Sequence, residues 1–176
     1  DSNIEEGRKA AHLFQAEHYA KTVSDLLSID NFEFDGVVVK GQFADRENEA
    51  LSAISNKKHV LISIPVAETS EKTAGFFNLC AESNVVTMLG NKFRYIPGYT
   101  ILKNKIDSGV LGQLGLVRVH DWLGNSRDST ATIDLERIAS LVDMVNWLFN
   151  SFPSVIYARS INNFYIQIHL GFEAGG

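Results

Sequence analysis

The pattern of apolar positions differs between the two parts of the chain. Up to about residue 90, short and nearly unbroken apolar runs alternate with stretches of helical periodicity. Predicted strands lie at 37–39, 59–64 and 85–89, and predicted helices at 5–20, 46–54 and 68–82. Buried strands separated by helices are typical of βαβ units, whose parallel sheet is covered on both faces. The first part of the chain is therefore predicted to be an open α/β layer.

The second part has longer strands and fewer helices. The first helix there begins with Pro97 and is followed by Gly109, which favours those two ends. Predicted elements are a helix at 97–108, a long strand at 114–123, an apolar helix at 133–149 and strands at 153–159 and 164–172. Adjacent strands without intervening helices indicate an α+β arrangement, so we expect a domain boundary between residues 90 and 97.

Composition narrows the function classes. The chain has 176 residues, 45% of them hydrophobic and 21% charged, with a net charge of −5. The sequence has no stripe of basic residues that would favour nucleic-acid binding, and its apolar runs are too short to cross a bilayer. The polar N-terminus contains no apolar leader, so we expect a cytoplasmic protein. With one cysteine, Cys80, and no metal-ligand spacing of histidines or carboxylates, neither a disulfide nor a metal site is expected.

One strand ends where α/β proteins often place a reactive group. The apolar run 59–64 stops at Pro65, and a helix follows from about residue 68. The residue before the proline is Ile64, which neither binds nor donates a proton. His59, at the start of the same strand, is expected to be hydrogen-bonded at the strand mouth rather than catalytic. The strand therefore has the position of an active-site strand without the corresponding chemistry.

Several phrases resemble the Gfo/Idh/MocA family of NAD(P)-dependent oxidoreductases. They are KNKIDSGVLGQLGLVRVHDW at 103–122, GNKFRYIPGY at 90–99, DMVNWLF at 143–149 and the strand that ends at Pro65. The likeness covers nearly the whole chain. It implies a Rossmann-like nucleotide-binding domain lacking its first strand at 1–92. An α+β substrate and oligomerisation domain with an open, mostly antiparallel sheet would follow at 93–176.

The resemblance also implies which residues would handle protons. The family's Glu-Lys-Pro lysine polarises the substrate hydroxyl, and the histidine of its Asp-x-x-x-His pair takes the proton. These two positions fall on Ile64 and Ser140, so little or no hydride transfer of the usual kind is expected. The carboxylates at the neighbouring family positions are Glu136 and Asp143. Together with His120, near the first strand of the second sheet, they are the catalytic candidates, although a surface or packing role is favoured for His120.

The implied cofactor is NAD or NADP. No Gly-x-Gly-x-x-Gly turn for the pyrophosphate is present, and in register with the family that turn and its strand would precede residue 1. Such a chain is a fragment of a longer protein, a partly ordered chain, or a reduced relative completed by a partner. The cofactor-binding positions that the resemblance assigns are Asp1, Lys40, Gly41, Gln42, Ser63, Pro65 and Arg94.

Three functions remain open from the sequence. The first is a catalytically degenerate oxidoreductase of sugar-like or cyclic alcohols, forming a homo-oligomer through its C-terminal sheet. The second is a non-catalytic binding or assembly module that senses a nucleotide or sugar or pairs through its sheet. The third is an active enzyme with rearranged acid and base groups, which would be Glu136, Asp143 or His120.

Overall fold

The computed structural model describes residues 1–41, 43–121, 135–161 and 165–173. The chain separates into two compact units, residues 1–90 and 91–176. The first contains a three-stranded parallel sheet and the second a two-stranded antiparallel sheet. The predicted fold class, a parallel α/β layer followed by an α+β region, is therefore confirmed.

The first unit alternates helices and strands. Its elements are α1 (Ile4–Phe14), α2 (Val23–Leu27), β1 (Gly36–Val39), α3 (Phe43–Ser55), β2 (His59–Ser63), α4 (Ser70–Glu82) and β3 (Thr87–Gly90). The strand order is β1-β2-β3, and Leu61 of β2 lies between Val38 of β1 and Met88 of β3. All three carboxyl ends consequently lie at one edge of the sheet.

Side-chain caps fix where the helices of this unit begin. Asn3 accepts the backbone amides of Glu5 and Glu6, and Thr69 accepts that of Lys72, so the first amides of α1 and α4 are satisfied. The predicted extension of the first helix to residue 20 was wrong. Gln15 adopts a left-handed φ of 55° and its amide closes on the Ala11 carbonyl, which ends α1 at Phe14.

The core of the first unit covers one face of the sheet. Its buried members are Val23, Val39, Ala50, Ala53, Ile54, Val60, Ile62, Val66 and Phe76. Because side chains alternate along a strand, the residues between them point to the other face. Val38, Leu61 and Met88 are exposed there and line a shallow apolar groove of about 250 Å³. The helices of this unit therefore bury the sheet on one side.

The second unit begins with a 3-10 turn and two helices. Its elements are the turn Lys92–Tyr95, α5 (Pro97–Asp107), α6 (Leu135–Phe149), β4 (Val155–Ile161) and β5 (Tyr165–Gly171). Gly109 and Gly112 follow α5 with φ of 72° and 74°, a left-handed backbone that suits glycine. Those two glycines give the Ser-Gly-x-Leu-Gly phrase its turn.

The predicted strand at 114–123 was wrong for the part that the structure describes. Residues 114–121 have no regular structure, and Leu116 is 76% exposed, while Trp122 and Leu123 lie outside the described residues. A strand requires a neighbouring strand to pair its backbone groups. The ladder described in this unit joins β4 to β5 alone, so the apolar alternation of this segment has no partner there.

The two predicted C-terminal strands are confirmed. β4 and β5 run antiparallel, with Ala158 opposite Ile168. Every side chain of β4 is exposed, including Val155, Ile156 and Tyr157. Within the described ranges, no helix combines the length and apolar character needed to cross a membrane.

A buried lysine joins the C-terminal ends of α5 and α6. The ammonium of Lys103 donates to the Asp107 carboxylate and to Asn150 Oδ1 at 2.8 Å, and lies 6.0 Å from the Trp147 ring centroid. Asn150 Nδ2 also donates to Asp107 at 3.0 Å. The Lys103 hydrogen bond, with a smaller opposing contribution from burial, lowers the pKa of the Asp107 carboxyl. Lys103, Asp107 and Asn150 thus form a closed polar triangle.

The two charged members of this triangle should respond differently to mutation. Lys103→Met removes the buried charge and keeps the side-chain length, so we expect a loss below about 1 kcal/mol. Asp107→Ala leaves the ammonium buried without its carboxylate, so we expect the larger fall in melting temperature. Thermal unfolding followed by circular dichroism compares the variants. A greater loss in Lys103→Met would contradict this account.

Candidate functional site

The carboxyl edge of the parallel sheet gathers most of the predicted cofactor positions. Lys40 and Gly41 follow β1, and Ser63 and Pro65 lie at the end of β2 and just beyond it. Ligands of open α/β sheets bind outside the carboxyl ends of the strands. Lys40 is exposed, which suits a contact with an anionic group. Gln42 lies outside the described residues.

Arg46 links the two turns at this edge, and the sequence analysis missed it. One terminal guanidinium nitrogen donates to the Gly41 carbonyl at 2.8 Å. The other donates to the carbonyl of Pro65 at 2.9 Å and more weakly to that of Ser63 at 3.4 Å. Arg46 is only 3% exposed. In the sequence it looks like one more charge on a surface helix, and no motif spacing distinguishes it.

The turn after β2 carries an aliphatic side chain at the position where the resemblance implies a lysine. Ile64 is 8% exposed, and Val66 and Ala67 beyond it are buried. Ser63 is half-buried, and the Ile64–Pro65 peptide bond is cis. The turn is therefore packed as part of the core, and Ile64 supplies neither an acid nor a base.

Asp1 takes part in the start of α1. Its carboxylate accepts the amide of Asn3 at 2.9 Å, and its backbone nitrogen donates to the Ala20 carbonyl at 2.8 Å. The side chain is exposed. The contacts of Asp1 are thus with the segments on either side of α1, and one carboxylate oxygen already has a backbone donor.

A second polar cluster lies within residues 91–176 and joins two predicted site residues. Arg94, predicted for the cofactor, and Asp143, predicted for catalysis, form a two-pronged ion pair with distances of 2.6 and 2.8 Å. Asn91 donates to the same carboxylate at 2.6 Å and to the Ser140 carbonyl at 2.9 Å. The three side chains tie the 3-10 turn to α6.

This cluster keeps Asp143 ionised. Burial raises the pKa of its carboxyl, but hydrogen bonds from Arg94 and Asn91 outweigh that effect and hold the pKa below its usual range. The same pair raises the pKa of the Arg94 guanidinium through its hydrogen bond to Asp143. Since both carboxylate oxygens already accept charged or amide donors, Asp143 acts as an anchor and is a weak proton acceptor.

Ser140, at the position where the resemblance implies a histidine, is hydrogen-bonded within its own helix. Ser140 Oγ donates to the Glu136 carbonyl at 2.8 Å, the backward bond that serine commonly makes within a helix. Glu136 is half-buried in the first turn of α6. Ser140 therefore lies one helical turn before Asp143 and has a hydroxyl in place of a base.

The remaining catalytic candidate, His120, is exposed in the irregular segment before residue 122. Its neighbour Asp121 forms a two-pronged ion pair with Arg137 of α6. The Arg137 hydrogen bonds, opposed by a smaller effect of burial, lower the pKa of the Asp121 carboxyl. The Asp121–Arg137 ion pair attaches this segment to α6 beside Glu136.

His59 has the structural role that the sequence analysis assigned to it. Its Nδ1 accepts the backbone amide of Val86 at 2.9 Å, at the amino end of β2. This hydrogen bond requires Nδ1 to carry no proton. The prediction of a hydrogen-bonded histidine at the strand mouth is confirmed.

The known proteins that this chain resembles in sequence are oxidoreductases and dehydrogenases. No family model matches the chain. An uncharacterized oxidoreductase of Synechocystis sp. is 35% identical over 78 residues, which are 44% of this chain and 21% of that protein. Inositol 2-dehydrogenase 2 of Saccharopolyspora erythraea is 29% identical over 153 residues, 84% of this chain and 44% of that protein.

Solved structures share the fold at lower identity. An oxidoreductase from Agrobacterium radiobacter, in complex with NAD⁺, L-tartaric acid and magnesium, superposes with a TM-score of 0.79. It is 13% identical and the match covers 99% of this chain and 55% of that one. The fold is therefore that of the Gfo/Idh/MocA-like NAD(P)-dependent oxidoreductases. The chain spans less than half the length of the two curated relatives.

Proposed function

We propose that this chain is a nicotinamide-dependent oxidoreductase of sugar-like or cyclic alcohols whose catalytic positions are degenerate. The observation that carries the proposal is the carboxyl edge of the parallel sheet, where Arg46 holds the turns after β1 and β2 together. An NAD(P)-type fold places its dinucleotide at such an edge. The similarity to inositol 2-dehydrogenase 2 supports a polyol as the substrate class.

The residues present fit a nicotinamide cofactor at this edge. Lys40, Gly41, Ser63 and Pro65 would hold it, with the exposed ammonium of Lys40 facing an anionic group. When bound, the cofactor would exchange a hydride with the substrate. Asp1 and Arg94 are the other positions that the resemblance assigns to the cofactor. Arg94 lies in the second unit, where it is paired with Asp143.

We expect weak or no turnover in this chain. Ile64 neither polarises a hydroxyl nor transfers a proton, and the Ser140 hydroxyl donates to its own helix. Asp143 is fixed by Arg94 and Asn91. With Ile64 and Ser140 at the positions where the resemblance implies a lysine and a histidine, the general base catalysis of about 100- to 10,000-fold that such a histidine supplies is lost.

The second candidate is a non-catalytic binding or assembly module. The strand β4 is exposed on both faces and carries apolar side chains, including Val155, Ile156 and Tyr157. Exposed apolar patches of this kind mark interaction surfaces. A homo-oligomer that pairs through this C-terminal sheet would use them.

Cofactor titration separates these functions. We expect the 176-residue chain to bind NADH or NADPH with micromolar affinity in calorimetry and to oxidise a polyol panel slowly or not at all. Turnover that collapses in Glu136→Ala or His120→Ala would favour the rearranged enzyme. Absence of binding at millimolar cofactor, by a chain shown to be folded, would favour the interaction module. Chain mass by light scattering at several concentrations tests the homo-oligomer.

A further inference from the structure

We propose that Arg46 is a positioning residue that sets the spacing of the two turns which contact the nicotinamide cofactor. This inference rests on the proposed function, because it concerns how the same edge of the sheet receives the dinucleotide. It assigns to Arg46 a role in cofactor affinity that acts through Gly41 and Pro65, with no requirement that Arg46 itself touch the cofactor.

The first support is the geometry of the hydrogen bonds. Two terminal nitrogens of one planar guanidinium reach two different turns, Gly41 at 2.8 Å and Pro65 at 2.9 Å. The fork of a guanidinium fixes the angle between its donors, whereas a lysine has a single nitrogen. The Arg46 link, defined as these two hydrogen bonds, therefore fixes the distance between the turns as well as satisfying their carbonyls.

The second support is burial. Arg46 is 3% exposed, so water does not compete effectively for its donors. Val66 and Ala67, beyond the Pro65 turn, are buried, as are Val39 before the Gly41 turn and Ala50 in the same helix as Arg46. The link thus extends the core of the first unit to the sheet edge.

The consequence for binding follows from preorganisation. β1 and β2 are hydrogen-bonded neighbours, so their carboxyl ends lie about 5 Å apart. If the turns beyond them moved independently, the cofactor would have to order both on binding, which reduces affinity. Because the Arg46 link forms when the chain folds, the two turns are already ordered before the cofactor binds.

The experiment compares Arg46→Met and Arg46→Lys with the control Lys57→Met. Lys57 also donates to a backbone carbonyl, that of Ser83 at 3.4 Å, but lies before the amino end of β2, away from the cofactor edge. Arg46→Lys keeps the charge and serves if Arg46→Met folds poorly. Hydrogen–deuterium exchange of the turns and calorimetric titration with NADH and NADPH are the two readouts.

We expect both Arg46 variants to exchange amide hydrogens faster at residues 40–41 and 66–67. They should also bind NADH about tenfold more weakly, because the cofactor would then have to order one of the turns on binding. Lys57→Met should melt at a lower temperature and keep the wild-type dissociation constant. Faster exchange with unchanged affinity would overturn the inference, because Arg46 would then be structural only. Unchanged exchange would overturn it as well.

Failure of the proposed function gives a different result. If the wild-type chain binds neither NADH nor NADPH, the cofactor role of the whole edge is refuted, and that of Arg46 with it. Exchange at the two turns then still reports whether the Arg46 link couples them. The two failures are therefore separated by the wild-type titration, which is measured first.

Discussion

Phe76→Ala should destabilise the first unit by about 3–5 kcal/mol, the range measured for buried phenylalanines. Phe76 lies on α4, is 2% exposed and packs with Ile54 and Ile62 in the core beneath the parallel sheet. Removing the ring loses the free energy gained by transferring it out of water, and it leaves a cavity in the core. Since small domains have about 5–15 kcal/mol in total, this is a large share of the stability. Urea denaturation followed by circular dichroism measures it.

The adjacent residue provides a matched control. Phe77 has the same side chain on the same helix, touches Phe76 edge-to-face and is 41% exposed. Phe77→Ala should cost less, about 1–2 kcal/mol, because two-fifths of its area stays in water and its removal leaves no enclosed cavity. Equal losses in the two variants would refute the core described here.

Asp143→Asn should destabilise the second unit by about 1–2 kcal/mol at pH 7. The substitution removes the charge that accepts two hydrogen bonds from Arg94 and one from Asn91. Hydrogen bonds to charged groups contribute about 1.5–3 kcal/mol, and partial exposure of Arg94 reduces that figure. Chemical denaturation at fixed pH gives the free energy of unfolding.

The pH dependence of this effect has a definite sign. The pKa of Asp143 is lower in the folded chain than in the unfolded one, despite the opposing effect of burial. The ion pair therefore stabilises fully above the unfolded pKa of about 4, and this stability is lost as pH falls through the folded pKa. Asparagine does not titrate, so the difference in unfolding free energy between wild type and Asp143→Asn should shrink below about pH 4.

A charge control completes this comparison. Glu173→Gln removes one exposed carboxylate from the same unit and should leave the unfolding free energy within about 0.5 kcal/mol of wild type. A difference between wild type and Asp143→Asn that stays constant from pH 7 to pH 3 would show that the ion pair contributes nothing.

Local sequence signals predicted much of this fold. β-branched runs in β1 and β2, the stop at Pro65 and the Pro97–Gly109 bounds of α5 depend on residues close in the chain. The three strands of the parallel sheet and the two C-terminal strands were predicted correctly for that reason. The segment 114–121 was predicted wrongly because its apolar alternation needs a partner strand, and pairing depends on residues distant in sequence.

The placement of Lys40, Gly41, Ser63 and Pro65 at the carboxyl edge of the sheet was predictable from the sequence, whereas the side-chain contacts of the candidate residues were not. Arg94 and Asp143 were assigned separate roles, yet they bind each other across 49 residues. Arg46 looked like a surface charge because its acceptors are backbone carbonyls, which every residue possesses. A charged side chain can be buried when main-chain carbonyls accept its hydrogen bonds. For Arg46 this depends on the paths of α3 and of the turns after β1 and β2, which no residue type in the sequence indicates.

The β4–β5 pair also bears on the colloidal behaviour of the chain. Arg159 is the single formal charge in β4, Val155–Ile161, whose other members are mostly β-branched or aromatic and exposed. Such segments, rich in β-formers and poor in charge, nucleate fibrils when an edge is accessible. Arg159 therefore interrupts this segment with a charge, a feature that disfavours the in-register stacking of such strands.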